Sequence, residues 1–339
     1  MLNSVYQLVA PRVIALKMTE VDVCDRVVVR PSMMALCAAD QRYYQGQRPQ
    51  DVLNKKLPMA LIHEAVGTVV ASDSDEILVG SQVAMIPNQL KSLDSASELY
   101  EHYSPHSFFL SSGHDGFMQE LVALPAHRVV DCTGIDATYA VLSELLSVGV
   151  HAVERMQLVA HKRRETFGIW GDGPVGYLTG VVLRSFFPDA HITIIGRHQE
   201  KLAYFTYADA TYLASNLPNS MRIDHAFECT GGEGCTAAIN QIIKHAHPQA
   251  CAILMGVSEA NVAIRTRDIL EKGLTMVGAS RSGRNDFIGA VSLLKDPHVR
   301  QQISPIIHTD DPVKSVDDIK RVFMTDLYTP FKTIFEWYL

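Results

Sequence analysis

The chain of 339 residues is long enough for two domains with sizeable hydrophobic cores. Its 47% hydrophobic and 20% charged residues are typical of a globular protein, and a net charge of −7 gives no sign of a nucleic-acid-binding surface. The sequence has no signal-peptide pattern, no apolar run near the ~18 residues of a membrane span, and no Cys-x-x-Cys pair among its six cysteines, which favours a reduced, cytoplasmic protein.

Residues 1–150 carry short β-type runs that are separated by polar clusters. The strand candidates are 26–30, 65–70, 82–86 and 120–123. Pro31 follows the first run, and because proline cannot donate to a sheet ladder, we expect strand pairing to stop there. These patterns predict a barrel-like or sandwich domain. Residues 90–109 are polar and irregular, which predicts a long surface loop.

Strands alternate with helices in residues 151–299, which predicts a parallel, doubly wound sheet. The strand candidates are 167–170, 191–195, 225–228, 252–255 and 275–279. The tail, residues 300–339, combines a helix over 316–323 with a strand over 332–337, and it is expected to return to the first domain.

A glycine-rich turn lies between the first of these strands and the helix that follows it. Its residues are Gly171, Asp172, Gly173, Pro174, Val175 and Gly176. This is the context of a dinucleotide-binding turn, in which glycines let a pyrophosphate approach the helix N-terminus. Gly256 is a further candidate for coenzyme contact. The alternative is a glycine-rich turn with no ligand.

The choice of dinucleotide depends on the end of the next strand. Residues 191–195 run into Gly196-Arg197-His198, with no Asp or Glu. An acid there would hold the ribose 2′-hydroxyl of NAD, whereas an arginine suits the 2′-phosphate of NADP. Arg197 therefore favours NADP, although it could also be an ordinary solvated loop residue.

Four residues have the chemistry of a catalytic zinc site, namely Cys37, His63, Glu64 and Glu144. A thiolate, an imidazole and one or two carboxylates can hold zinc and leave a position for water or substrate. Asp40 suits the role of accepting a hydrogen bond from the ligating imidazole. Each residue alone also fits a structural role, but carboxylates in apolar runs need partners.

The order of these residues resembles that of the zinc-containing medium-chain dehydrogenases/reductases. The matching features span nearly the whole chain: 37–40, His63-Glu64 before Gly67, 113–117, Glu144 and the turn 171–176. Longer segments, at 37–44, 111–119, 167–173 and 225–229, are similar to the ribulose-5-phosphate reductases of the CDP-ribitol pathway. The resemblance implies an α/β protein with a GroES-like catalytic domain over 1–150, to which 300–339 returns, and a Rossmann NADP-binding domain over 151–299.

The resemblance also implies an activity, which is NADPH-dependent, zinc-assisted reduction of D-ribulose 5-phosphate to D-ribitol 5-phosphate. It implies a role in CDP-ribitol and cell-surface polymer synthesis, a functional link to a cytidylyltransferase, and a homodimer. Zinc would be held by Cys37, His63 and Glu144, with Glu64 as an exchangeable fourth ligand. A substrate phosphate needs cationic partners, and the candidate substrate contacts are Arg42, Arg48, Lys55, Lys56 and His114.

The chain departs from the family pattern in two places. Residues 90–109 contain no cysteine, so the four-cysteine structural-zinc lobe of many members is missing and we expect one zinc ion. Ala39 stands where many alcohol dehydrogenases have a Ser or Thr that relays a proton, so a metal-bound water or Glu64 would have to serve instead. Two alternatives stay open: an NAD-dependent zinc polyol dehydrogenase and a zinc-free, non-catalytic binding protein.

Overall fold

The computed structural model describes residues 1–90 and 100–339. These residues form two compact units. The first unit contains Met1–Glu144, Ser282–Lys295 and Ile307–Leu339. The second contains Leu145–Arg281 and Asp296–Ile306. No helix of the described residues is both long and apolar enough to cross a lipid bilayer.

The strands of the described residues follow in chain order. They are β1 (Leu2–Ala10), β2 (Val13–Glu20), β3 (Val27–Ala35), β4 (Met59–Ala60), β5 (Glu64–Ser72), β6 (Gln82–Met85), β7 (Asn88–Leu90), β8 (Ser107–Phe109), β9 (Val122–Leu124), β10 (Val129–Asp131), β11 (Thr166–Trp170), β12 (His191–Gly196), β13 (Ala210–Leu213), β14 (Ile223–Glu228), β15 (Ala246–Leu254), β16 (Thr275–Gly278), β17 (Ile307–Thr309) and β18 (Lys332–Glu336).

The α-helices are numbered in the same way. They are α1 (Ala38–Tyr44), α2 (Gln50–Lys56), α3 (Ala137–Ala140), α4 (Ser143–Val159), α5 (Pro174–Phe186), α6 (Gln199–Leu202), α7 (Cys235–His245), α8 (Thr266–Lys272), α9 (Arg284–Leu294), α10 (Pro297–Ile303) and α11 (Val316–Asp326). Short 3-10 helices occupy Glu101–Tyr103, Ala126–Arg128, Ala214–Asn216, Gly232–Gly234 and Ser304–Ile306.

The first unit is β-rich, as the sequence predicts. Its main sheet has the order β10-β6-β5-β3-β18-β17, with β9 also pairing with β3. A smaller sheet, β2-β1-β4, and the pair β7-β8 complete the unit within the described residues. The alternating apolar residues of β3 and β5 point into a buried core that includes Val29, Met34 and Val69. Residues 91–99 of the predicted loop 90–109 lie outside the described residues, and the remainder contains β8 and a 3-10 helix.

The expectation that pairing stops at Pro31 is wrong. Strand β3 continues through Pro31 to Ala35, and Pro31 stands opposite Gly67 of β5. The register shifts between Pro31 and Met33, so the missing N–H is absorbed by a bulge. Gly67 allows this packing, because a Cβ there would lie 2.3 Å from the carbonyl oxygen of Arg30. Continuation of β3 matters because Cys37 follows directly after its end.

The second unit confirms the predicted parallel, doubly wound sheet. Its strands have the order β13-β12-β11-β14-β15-β16, and all adjacent pairs are parallel. Helices α5 and α7 pack against these strands. Strand β13 was not predicted, because it has only four residues and is incompletely buried. The order brings β11 and β12 side by side, so the glycine turn after β11 lies next to the end of β12.

The unit boundaries differ from the predicted division in three segments, the first of which is residues 145–150, predicted for the first domain but part of the second unit. Residues 282–295 belong to the first unit, although the sequence analysis assigns them to the Rossmann segment. The guanidinium of Arg284, in α9, donates to the carbonyl oxygen of Val129 at 2.6 Å, which ties this helix to the first unit. Residues 296–306 belong to the second unit, although residues 300–306 were predicted to return to the first domain. There the hydroxyl of Tyr177 donates to the carbonyl of Gln302 at 2.7 Å. Residues 307–339 join the first unit through pairing of β18 with β3.

His225 is a fully buried histidine in β14, near the centre of the second unit's sheet. Its Nδ1 accepts a hydrogen bond from the N–H of Cys251 at 3.1 Å, and its Nε2 lies 2.9 Å from the carbonyl oxygen of Arg163. Burial lowers the pKa of His225 to about 4, with further contributions from the positive charges of Arg164 and His161. The imidazole is therefore neutral at pH 7.

We predict that His225 makes the protein less stable in mild acid. Its folded pKa of about 4 lies below the ordinary value of 6.5, so the unfolded chain binds the extra proton as the pH falls from 6.5 towards 4. Stability should drop by on the order of 2 kcal/mol over this range. Thermal unfolding at several pH values measures it. His225→Gln should flatten the decline, whereas His308→Gln, at an exposed position, should not. Equal slopes for His225→Gln and the unchanged protein would contradict the prediction.

Candidate functional site

The first unit brings three of the four predicted metal ligands together. The ligand atoms of Cys37, His63 and Glu64 all lie within 4.8 Å of one another. The pairing of β3 with β5 explains this, because Ala35 at the end of β3 stands opposite Glu64 at the start of β5. Cys37 then follows β3 as the N-cap of α1, and His63 directly precedes β5. The sheet register therefore delivers the thiol, the imidazole and the carboxylate to one point.

Asp40 lies where the sequence predicts a support for the imidazole. Its Oδ2 is 3.3 Å from Nδ1 of His63, while its Oδ1 accepts hydrogen bonds from the N–H of Ile62 at 3.0 Å and the hydroxyl of Ser111 at 2.5 Å. Burial opposes ionisation of Asp40, but His63 and these donors outweigh it and lower the pKa of the carboxyl. An ionised Asp40 beside Nδ1 favours the tautomer of His63 with its proton on Nδ1, which would leave Nε2 for a metal, although Oδ2 makes no hydrogen bond among the described residues.

Burial lowers the pKa of His63, but the charges of Asp40 and Cys37 outweigh that effect and raise it well above its usual value. The neighbouring backbone is strained, because Ile62 has φ = +69°, a region that disfavours β-branched residues. Two contacts hold it there: its N–H donates to Asp40, and its carbonyl accepts from the N–H of Phe117 at 2.7 Å. Gly116 permits this approach, since a Cβ there would lie 2.3 Å from the Ile62 carbonyl oxygen.

Lys332 is a member of the site that the sequence analysis missed. Its ammonium donates to Oε1 of Glu64 at 2.5 Å and to the carbonyl of Leu36 at 2.6 Å, and its side chain is almost fully buried. Burial raises the pKa of Glu64, although the charge of Lys332 opposes the rise. The available signal is a lysine at the start of the terminal strand that contains Ile334 and Phe335, because a lysine buried there needs a partner.

Glu144 is buried in the first turn of α4, in the same unit. It does not belong to the 4.8 Å cluster of ligand atoms found among the described residues. It is nevertheless close enough for its charge to interact with Glu64, His63 and Lys332. Burial, followed by repulsion from Glu64, raises the pKa of Glu144 to about 7. Its role as a metal ligand stays a prediction.

The donor set of this cluster fits a zinc ion. Thiolate, imidazole and carboxylate are the ligands of catalytic zinc sites. Oε2 of Glu64 is buried and has no hydrogen-bond partner among the described residues, so this carboxylate oxygen is free to bind a ligand. A cation at the cluster would satisfy that oxygen, because buried polar atoms are nearly always paired.

The second unit shapes the glycine turn as predicted. Gly171 follows β11 with φ = +139°, and a Cβ there would lie 2.7 Å from the carbonyl oxygen of Cys229. Helix α5 begins at Pro174, with Gly173 as its N-cap, so free N–H groups face the turn. Gly176 packs so tightly that a Cβ would stand 2.1 Å from the Gly171 carbonyl oxygen. The backbone of this turn therefore tolerates no side chain at Gly171 or Gly176.

A cavity opens beside this turn. It is lined by residues that include Gly171, Gly173 and Arg197, which are predicted coenzyme contacts, and Asp172 and Thr230, which are not. Pro174 and Val175 form the first turn of α5. Gly256 is held by Oε2 of Glu228, which accepts its N–H at 2.9 Å. The same Glu228 carboxylate accepts the N–H of Thr230 at 2.9 Å, so it fixes the loop that forms one wall of the cavity.

Two of the predicted phosphate-binding residues meet at one aromatic ring. The guanidinium carbon of Arg48 is 4.9 Å and the ammonium of Lys56 is 5.7 Å from the ring centre of the buried Tyr43. Lys56 also donates to the hydroxyl of Ser112 at 2.8 Å. Of the other predicted contacts, Arg42 is in the last turn of α1, Lys55 is exposed, and the ring of His114 packs against Phe108 at 4.4 Å.

The chain is similar to known dehydrogenase and reductase proteins. Residues 24–134 match the alcohol dehydrogenase GroES-like domain. The chain is 46% identical over 339 residues to a ribulose-5-phosphate reductase of Streptococcus pneumoniae, with 99% of this chain and 98% of that protein covered. It is 42% identical to a ribulose-5-phosphate reductase of Bacillus spizizenii, with 99% of each chain covered. A crystal structure of Staphylococcus aureus TarJ in complex with NADPH superposes with a TM-score of 0.87 and 38% identity, covering 100% of both chains.

We predict that Lys332→Met destabilises the protein by about 3–5 kcal/mol, because it leaves the Glu64 carboxylate buried without its partner. Chemical denaturation measures the loss. The matched control is Lys320→Met, which removes an exposed pair with Asp317 at 2.8 Å; it should change stability by less than about 1 kcal/mol. Similar losses in both variants would show that burial of the Lys332 pair has no special weight.

Proposed function

Because the chain belongs to the ribulose-5-phosphate reductase family of the medium-chain dehydrogenases/reductases, we propose that it reduces the ketone of D-ribulose 5-phosphate to give D-ribitol 5-phosphate. The proposal is carried by the full-length similarity to ribulose-5-phosphate reductases. The chemistry of the two sites supports it: one unit has a zinc-type cluster, and the other has a dinucleotide-type turn. The GroES-like and Rossmann architecture is that of this family.

The proposed coenzyme is NADPH, which supplies the hydride. The turn 171–176 and the N-terminus of α5 would receive its pyrophosphate, because free N–H groups and the helix dipole favour a negative charge there. Arg197 lines the adjacent cavity and is exposed, so it is available to a 2′-phosphate. No acid occupies residues 197–199 directly after β12, so the residue type that selects NAD at this place is missing from the sequence.

The proposed metal is a single zinc ion, held by Cys37, His63 and Glu144 with Glu64 as an exchangeable ligand. Bound zinc supplies Lewis-acid polarisation of the ketone oxygen. The protein's own contribution is orientation: the Asp40 carboxylate lies 3.3 Å from Nδ1 of His63, and Lys332 donates to Oε1 of Glu64. Both contacts limit the rotation of a ligand side chain.

Reduction of the ketone also consumes one proton, and Ala39 has no group that can donate it. Glu64 is the candidate from the chain itself. Burial raises its pKa, which favours the protonated form. The proton would be held at Oε2 only while that oxygen is released from the metal, because Oε1 is engaged by Lys332.

The substrate phosphate is assigned to Lys56 and Arg48. The positive groups of both residues lie near the aromatic ring of Tyr43. No carboxylate of the described residues lies within ion-pair distance of Lys56. The position is connected to the zinc-type cluster, because Ser112, which binds Lys56, follows Ser111, which donates to Asp40. Phosphate oxygens form strong charge-assisted hydrogen bonds with such cations.

We extend the proposal to assembly and cellular role. A homodimer is supported by the edge strand β16 and by exposed apolar residues near it, which include Val257 at 60% and Leu270 at 80% exposure; sedimentation equilibrium measures the mass. The six cysteines are unpaired, which supports a reducing cytoplasm. The product would be consumed by a cytidylyltransferase that makes CDP-ribitol for a cell-surface polymer.

The central prediction concerns substrate and coenzyme preference. We expect NADPH oxidation to be fastest, in kcat/KM, with ribulose 5-phosphate when it is compared with xylulose 5-phosphate, ribulose and fructose 6-phosphate. Parallel assays with NADH should be slower. Polyol oxidation with NAD at the higher rate would favour a polyol dehydrogenase instead. NADPH binding without turnover of any substrate would favour a non-catalytic protein.

The same panel tests the phosphate position. Lys56→Met should raise KM for ribulose 5-phosphate by about tenfold or more, since a hydrogen bond to a charged group contributes roughly 1.5–3 kcal/mol. Turnover of unphosphorylated ribulose should not change. Lys17→Met, which removes an exposed lysine in the same unit, serves as the control. Equal losses of activity with ribulose 5-phosphate and ribulose would show that Lys56 does not act by binding the phosphate.

The metal prediction concerns Cys37. Cys37→Ser should lose bound zinc, measured by elemental mass spectrometry, and should lose turnover with it, because the thiolate is a predicted ligand. The control is Cys132→Ser, a buried cysteine of the same unit outside the cluster; it should keep zinc and activity. Full activity of Cys37→Ser, or of the unchanged protein after complete chelation, would rule out the zinc proposal.

A further inference from the structure

We propose that Asp172 and Gly196 set the preference for NADPH over NADH by fixing the loop that presents Arg197. Neither residue was singled out by the sequence pattern, in which Asp172 is a variable position of the glycine turn. The inference rests on the proposed use of NADPH and adds the residues that orient the arginine. Asp172 acts here as a positioning residue, because its carboxylate contacts the loop.

One oxygen of Asp172 gathers three donors from the loop after β12. Oδ2 accepts the N–H of Arg197 at 2.6 Å, the N–H of His198 at 2.8 Å, and lies 3.0 Å from Nδ1 of the His198 ring. Burial opposes ionisation, but these contacts outweigh it and lower the pKa of the carboxyl. Hydrogen bonds to an ionised acceptor are about twice as strong as neutral ones. The backbone at Arg197 is therefore held by a charge-assisted clamp.

Gly196 is what allows the clamp to form. It is the last residue of β12, and a Cβ on it would lie 2.6 Å from the Cβ of Asp172 and 2.8 Å from Oδ2. Both atoms belong to the side chain that accepts the loop amides. A methyl group at residue 196 would push the carboxylate away from Arg197 and His198. Both residues therefore determine whether the Asp172 carboxylate can accept the N–H groups of Arg197 and His198.

The clamp presents a cation at the cavity beside the glycine turn. Asp172, Gly196 and Arg197 all line the cavity beside the glycine turn. Among the described residues, the Arg197 guanidinium has no hydrogen-bond or ion-pair partner, so it is available to a ligand. Oδ2 of the Asp172 carboxylate is committed to the loop amides and His198. A guanidinium held at this place favours a 2′-phosphate over a 2′-hydroxyl.

The test is the ratio of the NADH and NADPH dissociation constants. Binding can be followed by quenching of tryptophan fluorescence, because Trp170 lines the cavity. We expect the unchanged protein to bind NADPH more tightly and Arg197→Ala to lose that preference. Asp172→Ala and Gly196→Ala should each reduce the preference by about tenfold, or about 1.4 kcal/mol. Asp172→Asn, which keeps the size of the side chain, should reduce it by a smaller factor in the same direction.

Asp209→Asn is the matched control. Asp209 also accepts a backbone N–H from β12, that of Ile192 at 2.7 Å, but it lies at the other end of the strand and does not line the cavity. It should lower the melting temperature and leave the ratio unchanged. An unaltered ratio in Asp172→Asn and Gly196→Ala, with preference lost in Arg197→Ala, would overturn the role of the clamp. A lack of NADPH preference in the unchanged protein would instead contradict the proposed coenzyme.

Discussion

The buried ion pair between Lys332 and Glu64 is the contact on which the first unit's site depends. The Lys332 ammonium also donates to the Leu36 carbonyl. The Lys332 side chain therefore joins the C-terminal strand to the two segments that carry Cys37 and His63. Both charges are almost completely out of water, and desolvation of such a pair offsets much of its attraction. The pair therefore contributes little net stability compared with an apolar pair, yet it becomes strongly destabilising when one partner is missing. The consequence is that the cluster has its observed geometry only when β18 has docked against β3.

The route of β3 explains why that docking matters. The strand absorbs Pro31 in a bulge and continues to Ala35, where it pairs with Glu64 on one side and with Ile334 on the other. A strand that ended at the proline would leave Cys37 in a loop with no fixed relation to His63. The sheet register, and not the spacing of 26 residues between Cys37 and His63 in the sequence, places the two side chains together.

The features that could be predicted from the sequence are those determined by residues that are neighbours in the chain. The glycine turn, the strands around it and the helix start at Pro174 depend on neighbouring residues, so their pattern could be recognised. The candidate ligands Cys37, His63 and Glu64 required a family resemblance, because their individual patterns also suit core residues. Lys332 and the placement of 282–295 could not be predicted, since both depend on contacts between segments far apart in the chain. The error at Pro31 has the same origin, because the bulge needs Gly67 as its partner.

Asp40 in the first unit and Asp172 in the second fix their neighbours in the same way. Each carboxylate accepts backbone N–H groups, from Ile62 in one case and from Arg197 and His198 in the other. In each case the anion also lies beside an imidazole, that of His63 or His198. An acid that is held by the backbone cannot rotate, so it fixes the residue it contacts without spending a further side chain. Asp40 thereby orients a metal-type ligand, and Asp172 orients the loop that bears a cation. Because each acid acts through another residue, replacing it should alter binding selectivity or metal affinity before it alters the fold.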